Sequence, residues 1–281
     1  MGNNVIAGWR SCRVAKFSPY ATSPPRYLPL NWVAFLLLSC MLLLSCSNRS
    51  QTLDRIQADG VMRVGLDPTF PPFENGDGGL HGIDVDLARA IGREMGVEIE
   101  FVLFGYDGLY DALLIDRCDI LISALIIDDT KTKEFAYSDP YFNAGQFIVT
   151  HESNRSINRL TDLEGQKVAV ETGSAGHVEA ISAQNRVRNL TILTYPTPDD
   201  AMWPVLQQEL PAALIDQVNA RLYIQTHPSL SLVEEPLTVE PYAVVTRKDD
   251  DSLLNEINLV LENLQSTGEI DQIIGQWIGS P

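Results

Sequence analysis

Residues 80–87 read LHGIDVDL, and the sequence around them indicates a strand, a loop and a helix in that order. Upstream, residues 61–67 (VMRVGLD) have the apolar pattern of a short strand, and residues 68–74 (PTFPPFE) form a loop interrupted by three prolines. Downstream, Leu, Ile and Met recur at four-residue spacing over residues 87–95, which places them on one face of a helix. We therefore predict a strand–loop–helix unit whose helix buries this apolar face.

Two aspartates, Asp84 and Asp86, stand where the predicted helix starts. Carboxylates at this position accept hydrogen bonds from the unpaired N–H groups of the first turn and complement the positive end of the helix dipole. We therefore predict that both aspartates cap the helix.

Strand patterns alternate with helix patterns along the rest of the chain. The predicted strands lie near residues 61–67, 99–104, 119–123, 145–150, 167–171, 191–195, 212–215 and 242–247. Alternation of this kind predicts α/β layers with mostly parallel sheets.

Further motifs follow in a fixed order after the LHGIDVDL segment. They are Asp107-Gly108-Leu109, Asp119–Ser123, Phe135–Tyr141, Leu163–Val170, and Thr267–Asp271 with Trp277. Together these residues resemble the bacterial extracellular solute-binding proteins of the amino-acid type, solute-binding family 3, and the likeness covers about residues 53–279.

The resemblance implies a type II periplasmic-binding-protein fold with two lobes. Each lobe would be a mostly parallel sheet flanked by helices, and two hinge strands would join the lobes at the polar breaks 139–146 and 234–242. We expect lobe 1 to be discontinuous (53–144 plus 247–281) and lobe 2 to span 145–246 with the hinge strands. The ligand would bind in the cleft between the lobes.

The N-terminal segment has the features of a secretion signal. Residues 1–45 contain no acid, four basic residues before position 30, and an apolar run from Trp32 to Leu44. The run ends Leu-Leu-Ser-Cys and resembles a bacterial lipobox, so Cys46 is the predicted lipid attachment site and 46–52 the lipidated tether. Cys40 is a weaker second site, and an uncleaved membrane helix is the alternative interpretation of the apolar run.

Removal of the signal leaves 37 acidic and 16 basic residues, a net charge of −21. Such a surface repels nucleic acid and anionic headgroups. After cleavage and lipidation Cys118 is the one cysteine left with a free thiol, so we expect no disulfide within the chain. The histidines lack metal-ligand spacing, and no cofactor motif occurs, so neither metal nor cofactor is expected; these histidines are His81, His151, His177 and His227.

A cleft that holds a zwitterionic amino acid must neutralise the ligand's carboxylate, and two features could do so. Thr172, Gly173 and Ser174 follow a predicted strand and precede a helix, where backbone N–H groups can face an anion. An ordinary strand-to-helix turn explains the same residues. Lys131 stands where the family places an arginine, and Ile126 stands where it prefers Ser or Thr. Lysine binds as a flexible point charge, so these two departures weaken the match to standard amino-acid binding.

The ligand's ammonium group requires a carboxylate. Asp216 ends the apolar strand near residues 212–215, and the resemblance assigns it this role. The alternative is that Asp216 caps the following helix. Asp67 lies just before the proline-rich loop, where relatives use a carboxylate for polar or basic ligand side chains.

Aromatic walls for the ligand's side chain would come from Phe70 and Tyr106, which match family positions that contact ligand. Each could equally be an ordinary core aromatic. Ser123, near the end of another predicted strand, is a further candidate contact.

The family resemblance, together with the lipobox-like segment, implies a lipid-anchored binding component of an ABC importer on the extracytoplasmic face of the cell envelope. It would capture an amino acid or related small polar solute as a monomer and present it to a membrane permease. One alternative is an enzyme on the same scaffold, similar to cyclohexadienyl or arogenate dehydratases, with Glu171 as general acid and Lys131 as carboxylate anchor. The other alternative is a ligand-sensing ectodomain that works with a separate partner.

Overall fold

A computed structural model describes residues 51–279 of the chain. The predicted signal peptide (1–45) and the predicted lipid attachment at Cys46 lie outside the described residues. Across residues 51–279, no helix combines the length and the apolar character needed to cross a membrane.

Strands and helices alternate along the described chain as the sequence predicts. The strands are β1 (Val61–Leu66), β2 (Thr69–Phe70), β3 (Glu74–Asn75), β4 (Glu98–Leu103), β5 (Ile120–Leu121), β6 (Phe135–Tyr137), β7 (Phe142–Asn143), β8 (Gln146–His151), β9 (Lys167–Glu171), β10 (Thr191–Tyr195), β11 (Ala212–Asp216), β12 (Leu230–Leu232), β13 (Pro241–Tyr242) and β14 (Val245–Arg247). The helices are α1 (Gln51–Asp59), α2 (Ile83–Met95), α3 (Leu109–Leu114), α4 (Ala175–Gln184), α5 (Pro198–Leu206), α6 (Gln217–Thr226), α7 (Asp251–Ser266) and α8 (Glu269–Ile278).

The first sheet has the strand order β4-β1-β5-β14-β6. β4, β1 and β5 run parallel, with Val61 opposite Glu98 at the start of the β1–β4 register. β14 is antiparallel to both β5 and β6. Met62 and Val64 of β1 pack into one apolar cluster, whereas Leu121 of β5 packs into a second, so the sheet is covered on both faces.

The second sheet has the order β10-β9-β11-β8-β12. β10, β9 and β11 are parallel, and β8 is antiparallel to β11 and β12. Alternate residues of β9 point to opposite faces: Val168 and Val170 belong to one core cluster and Ala169 to another.

The two-lobed α/β fold is therefore confirmed, with sheets that are mixed. Each sheet contains two parallel and two antiparallel strand pairs. The antiparallel pairs arise because β8 and β14 follow directly on the segments that pass from one sheet to the other, and so enter against the direction of the parallel strands. The limits of the two lobes stay a prediction. Near these limits, β14 (Val245–Arg247) belongs to the first sheet. Thr52 in α1 donates a hydrogen bond to Asp250 Oδ1 at 2.7 Å.

The crossing segments form a small ladder of their own. β7 and β13 pair antiparallel, with Phe142 opposite Tyr242 and Asn143 opposite Pro241. Gly145 follows β7 at a point where an added Cβ would collide with the backbone carbonyl of Thr238. The two crossings are thus packed backbone to backbone, which only glycine permits here.

Helix α2 confirms the predicted apolar face, but the predicted caps are wrong. Leu87 and Ile91 are fully buried, and each such side chain stabilises the fold by roughly 1.5–3 kcal/mol. Gly82 precedes the helix with φ of 139°, and no side chain in the described part of the chain caps it. Asp84 is instead buried and accepts hydrogen bonds from other segments, and Asp86 accepts the Trp277 Nε1–H at 2.9 Å. The two carboxylates bind donors from distant segments instead of the N–H groups of their own helix, because Asp84 faces the sheet and Asp86 faces α8.

Candidate ligand-binding site

A cavity of about 410 Å³ opens at the carboxyl ends of the parallel strands of the first sheet. Asp67 follows β1, Tyr106 follows β4, and Ser123 follows β5, so parallel pairing gathers three distant segments at one edge. The lining residues are Asp67, Thr69, Phe70, Glu74, Tyr106, Ser123, Ala124, Ile126 and Tyr242. Four predicted ligand residues, Asp67, Phe70, Tyr106 and Ser123, are thus brought together.

The Asp67 carboxylate is held in place at the cavity wall. The side chain is 8% exposed, and its Oδ1 accepts a hydrogen bond from the Thr69 hydroxyl at 2.7 Å. The Asp67 backbone N–H donates to Ser123 Oγ at 3.0 Å, which ties the end of β1 to the end of β5. A fixed carboxylate of this kind suits a hydrogen-bond donor or a cation on the ligand.

Glu74 also lines the cavity, although the sequence does not predict it there. It is 1% exposed, and its Oε1 accepts a hydrogen bond from the Ser123 hydroxyl at 2.5 Å. Its other oxygen, Oε2, is buried and has no hydrogen-bond partner among the described residues. Burial raises the pKa of Glu74 strongly, and the nearby Asp84 carboxylate raises it further. The local sequence predicts that a glutamate in a proline-rich loop is exposed to solvent. Glu74 is buried because the loop folds back over β1 and β5.

Asp84 lies behind the cavity and orders its floor. Its two oxygens accept the Ala124 backbone N–H at 2.6 Å and the Tyr141 hydroxyl at 2.8 Å. Burial raises the pKa of Asp84, while these donors act in the opposite direction. Ala124 has φ of 47°, an uncommon conformation for a residue with a side chain, and the Asp84 hydrogen bond helps to hold it there.

Aromatic side chains form the outer wall of the cavity. Phe70 is 49% exposed and Tyr106 is 61% exposed, so both offer apolar faces to a ligand rather than serving as core. Phe70 stacks on Phe73 with ring centroids 5.8 Å apart. Tyr242, from the crossing strand β13, is mostly buried and closes the cavity on the hinge side.

Lys131 does not line the cavity. Its Nζ forms an ion pair with Asp128 Oδ2 at 2.8 Å and lies 5.2 Å from the centroid of the Tyr110 ring. Asp128 therefore raises the pKa of Lys131 and satisfies its charge locally. Ile126, where the family prefers a hydroxyl, does line the cavity and exposes an apolar side chain there.

The remaining predicted ligand residues lie at the carboxyl ends of β9 and β11 in the second sheet, outside this cavity. Thr172 N–H donates to the Tyr195 carbonyl at 2.8 Å, Gly173 N–H to His177 Nδ1 at 3.2 Å, and Ser174 N–H to the Glu171 carbonyl at 3.3 Å. Ser174 Oγ also accepts the His177 N–H and so caps α4.

Asp216 caps α6. Its Oδ1 accepts the Asn219 backbone N–H at 3.0 Å and its Oδ2 accepts Asn219 Nδ2 at 2.8 Å. The cap anticipated as the alternative is therefore present. A carboxylate has further lone pairs, so a second role in ligand binding stays a prediction.

The family model of bacterial extracellular solute-binding proteins, family 3, matches residues 62–280. The chain belongs to this family. The match spans most of the chain and includes both lobes of the solute-binding fold.

Two curated relatives of this solute-binding protein illustrate the range of its family. The chain is 28% identical over 232 residues to the L-cystine-binding protein TcyJ of Escherichia coli, covering 81% of this chain and 86% of that protein. It is also 28% identical over 232 residues to the L-arginine-binding protein of Pseudomonas aeruginosa, covering 79% and 89%.

Solved structures of other proteins are also similar to this solute-binding protein. An ancestral cationic amino acid solute binding protein is 33% identical, with a TM-score of 0.60 over 81% of this chain and 99% of that one. An ancestral cyclohexadienyl dehydratase is 26% identical, with a TM-score of 0.69 over 80% and 95%. The L-cystine solute receptor of Neisseria gonorrhoeae shares the fold, with 23% identity and a TM-score of 0.72 over 81% and 97%.

Proposed function

We propose that this protein is the binding component of an ABC importer for an amino acid or a related small polar solute. The observation that carries the proposal is the cavity at the strand ends of the first sheet, which combines a fixed carboxylate at Asp67 with aromatic walls at Phe70 and Tyr106. Ligand pockets are typically apolar enclosures with a few well-placed polar groups. Relatives named for L-cystine and L-arginine binding support an amino-acid ligand.

Binding would be completed by the second lobe. Asp216 and residues 172–174 stand at the carboxyl ends of β11 and β9, the edge at which α/β sheets bind ligands. Rotation about the crossing strands would bring this edge onto a ligand held at Asp67. The ligand's ammonium would then meet Asp216, and its carboxylate would exchange with the internal hydrogen bonds of the 172–174 turn. Lys131 would support the carboxylate only after leaving Asp128.

The cellular setting in this proposal follows the N-terminal sequence. Cleavage before Cys46 and lipidation of its thiol would tether the protein on the extracytoplasmic side of a membrane, next to a permease. The closed, ligand-bound form is what the permease would recognise, because only a state favoured by ligand can report that the site is filled. Metabolic labelling with a radioactive fatty acid, compared between the wild-type chain and Cys46→Ser, tests the anchor.

Isothermal titration of the chain from residue 47 onward tests the binding function directly. The titrants are the common amino acids and L-cystine, each at the same ionic strength. We expect saturable heat for at least one of them. Absence of heat from every titrant would contradict the proposal.

A second candidate function is an enzyme of the dehydratase type. It is favoured by the likeness to an ancestral cyclohexadienyl dehydratase and by a buried carboxyl of raised pKa in the cavity, which a general acid requires. That carboxyl is Glu74 rather than the predicted Glu171. Turnover of prephenate by the purified protein, lost in Glu74→Gln, would establish this function in place of simple binding.

A further inference from the structure

Two buried carboxyl groups lie close together at the cavity: Glu74 lines it and Asp84 lies behind it. Glu74 is 1% exposed and Asp84 is 0% exposed. Among residues 51–279, no lysine, arginine or histidine nitrogen lies within 4.0 Å of an oxygen of either side chain. Two such groups cannot both ionise in a buried site at reasonable cost, so the pair retains one proton near neutral pH.

The hydrogen bonds decide which carboxyl keeps the proton. Asp84 accepts from two donors, the Tyr141 hydroxyl and the Ala124 N–H, and both stabilise its ionised form. Glu74 accepts from one donor, the Ser123 hydroxyl, and no donor among residues 51–279 reaches its Oε2. Asp84 is therefore the carboxylate of the pair, and Glu74 is the neutral acid.

Among residues 51–279, the titratable groups that act most strongly on Glu74 are acids. Asp84 acts from α2 and Asp67 from the end of β1, and the phenols of Tyr141 and Tyr242 lie in the same network near the crossing strands. Of the described residues that line the cavity, two have carboxyl side chains and none is basic. An incoming cation would find a negative site in which one acid still carries a proton.

Resting on the proposed function, we infer that Glu74 is a specificity-determining residue that exchanges its proton for a cationic nitrogen of the ligand's side chain. In this step the Oε2–H bond of Glu74 breaks and its proton passes to solvent. The ligand's ammonium or guanidinium N–H then donates to the freed carboxylate, with Asp67 as its second acceptor. Charge balances, since one cation enters as one proton leaves. A ligand with a neutral side chain leaves Glu74 protonated.

Proton release measured by calorimetry tests this inference. L-arginine and L-glutamine are titrated at neutral pH in buffers of different ionisation enthalpy. Both carry the same α-amino group, and the guanidinium of arginine does not itself titrate, so the difference between them reports on the protein. We expect close to one proton released per arginine bound and none per glutamine.

The matched variants are Glu74→Gln and Glu98→Gln. Glu98 is an exposed carboxyl at the start of β4, outside the cavity lining. Glu74→Gln is expected to abolish proton release and to weaken arginine binding on the order of tenfold while sparing glutamine binding, since an amide cannot ionise. Glu98→Gln is expected to release the same proton as the wild-type chain.

Infrared difference spectroscopy supplies a readout that does not depend on affinity. The C=O band of a protonated carboxylic acid should disappear when arginine is added to the wild-type protein and should be absent from the Glu74→Gln difference spectrum. Arginine binding without proton release, or an unchanged release in Glu74→Gln, would overturn the inference and leave the binding function intact. Binding of neither amino acid nor of any other titrant would contradict both.

Discussion

Two roles are assigned to Asp216, and a single pair of substitutions separates them. Asparagine caps a helix as well as aspartate does but carries no charge. Alanine provides neither the cap nor the charge. If Asp216 also binds the ligand's ammonium, Asp216→Asn should keep the stability of the protein and lose on the order of tenfold or more in affinity. Asp216→Ala should lose both, with about 1 kcal/mol of stability removed.

Urea denaturation and calorimetry on the two Asp216 variants measure these effects separately. Thr197→Ala, which removes the side-chain cap of α5 in the same lobe, is the control for cap loss without a change of charge. Unchanged affinity in Asp216→Asn would show that the residue is only a cap.

Tyr141 provides a second prediction at the scale of one residue. Its hydroxyl donates to the buried Asp84 carboxylate at 2.8 Å, and hydrogen bonds to charged groups contribute about 1.5–3 kcal/mol. Tyr141→Phe should therefore destabilise the protein by roughly that amount in urea denaturation. Tyr195→Phe is the matched control, because no side-chain hydrogen bond is found for Tyr195 within residues 51–279, and its effect should stay within about 0.5 kcal/mol.

The sequence predicts some of the cavity residues from their type and their position along a strand, and it does not predict the others. Asp67 and Ser123 follow apolar strands, so the meeting of parallel strand ends brings them together. Glu74 and Asp84 gave no such signal, because a glutamate in a loop and an aspartate at a helix start have common local explanations. Their burial depends on contacts with Ser123 and Tyr141, which are distant in sequence.

At the scale of elements, Asp119 joins α1, β1 and β5. It precedes β5, is fully buried, and forms ion pairs with Arg63 of β1 at 2.7 Å and Arg55 of α1 at 2.5 Å. Burial alone would raise the pKa of Asp119, but hydrogen bonds from the two arginines lower it overall. The ionised form is thus the one that stabilises the fold.

A lowered pKa in the folded state has a definite consequence for acid stability. The contribution of Asp119 is present above its unfolded pKa of about 3.9 and is lost as pH falls through the lower folded value. We expect Asp119→Asn to reduce stability at neutral pH and to flatten its decline below about pH 4, as measured by urea denaturation across pH. Asp111→Asn, an exposed control on α3, should follow the wild-type curve; parallel curves for both variants would show that Asp119 is not the titrating group.

The crossing strands show why the sequence predicts that a segment is a strand more easily than it predicts where the strand begins and ends. The sequence predicts one strand over residues 242–247, whereas the chain forms β13 (Pro241–Tyr242) and β14 (Val245–Arg247) in different sheets. Both pieces are apolar, so their periodicity is continuous. The break between them is set by the pairing of β13 with β7 and of β14 with β6, which are contacts between distant parts of the chain.

At the scale of the whole molecule, two lobes joined by a short ladder should close on ligand. Saturating ligand should reduce the radius of gyration in small-angle X-ray scattering, because a hinge that closes brings the two sheets nearer to one another. Tyr106→Ala removes an aromatic side chain that is 61% exposed in the cavity wall, so we expect little effect on folding and an affinity on the order of tenfold weaker. At saturation this variant should reach the same compact state, since the hinge is untouched. Trp203 is a comparably exposed aromatic (55%) on α5 outside the cavity lining, so Trp203→Ala should bind and close like the wild-type chain. A radius of gyration that stays constant while calorimetry reports full occupancy would refute hinge closure and leave binding to the first lobe alone.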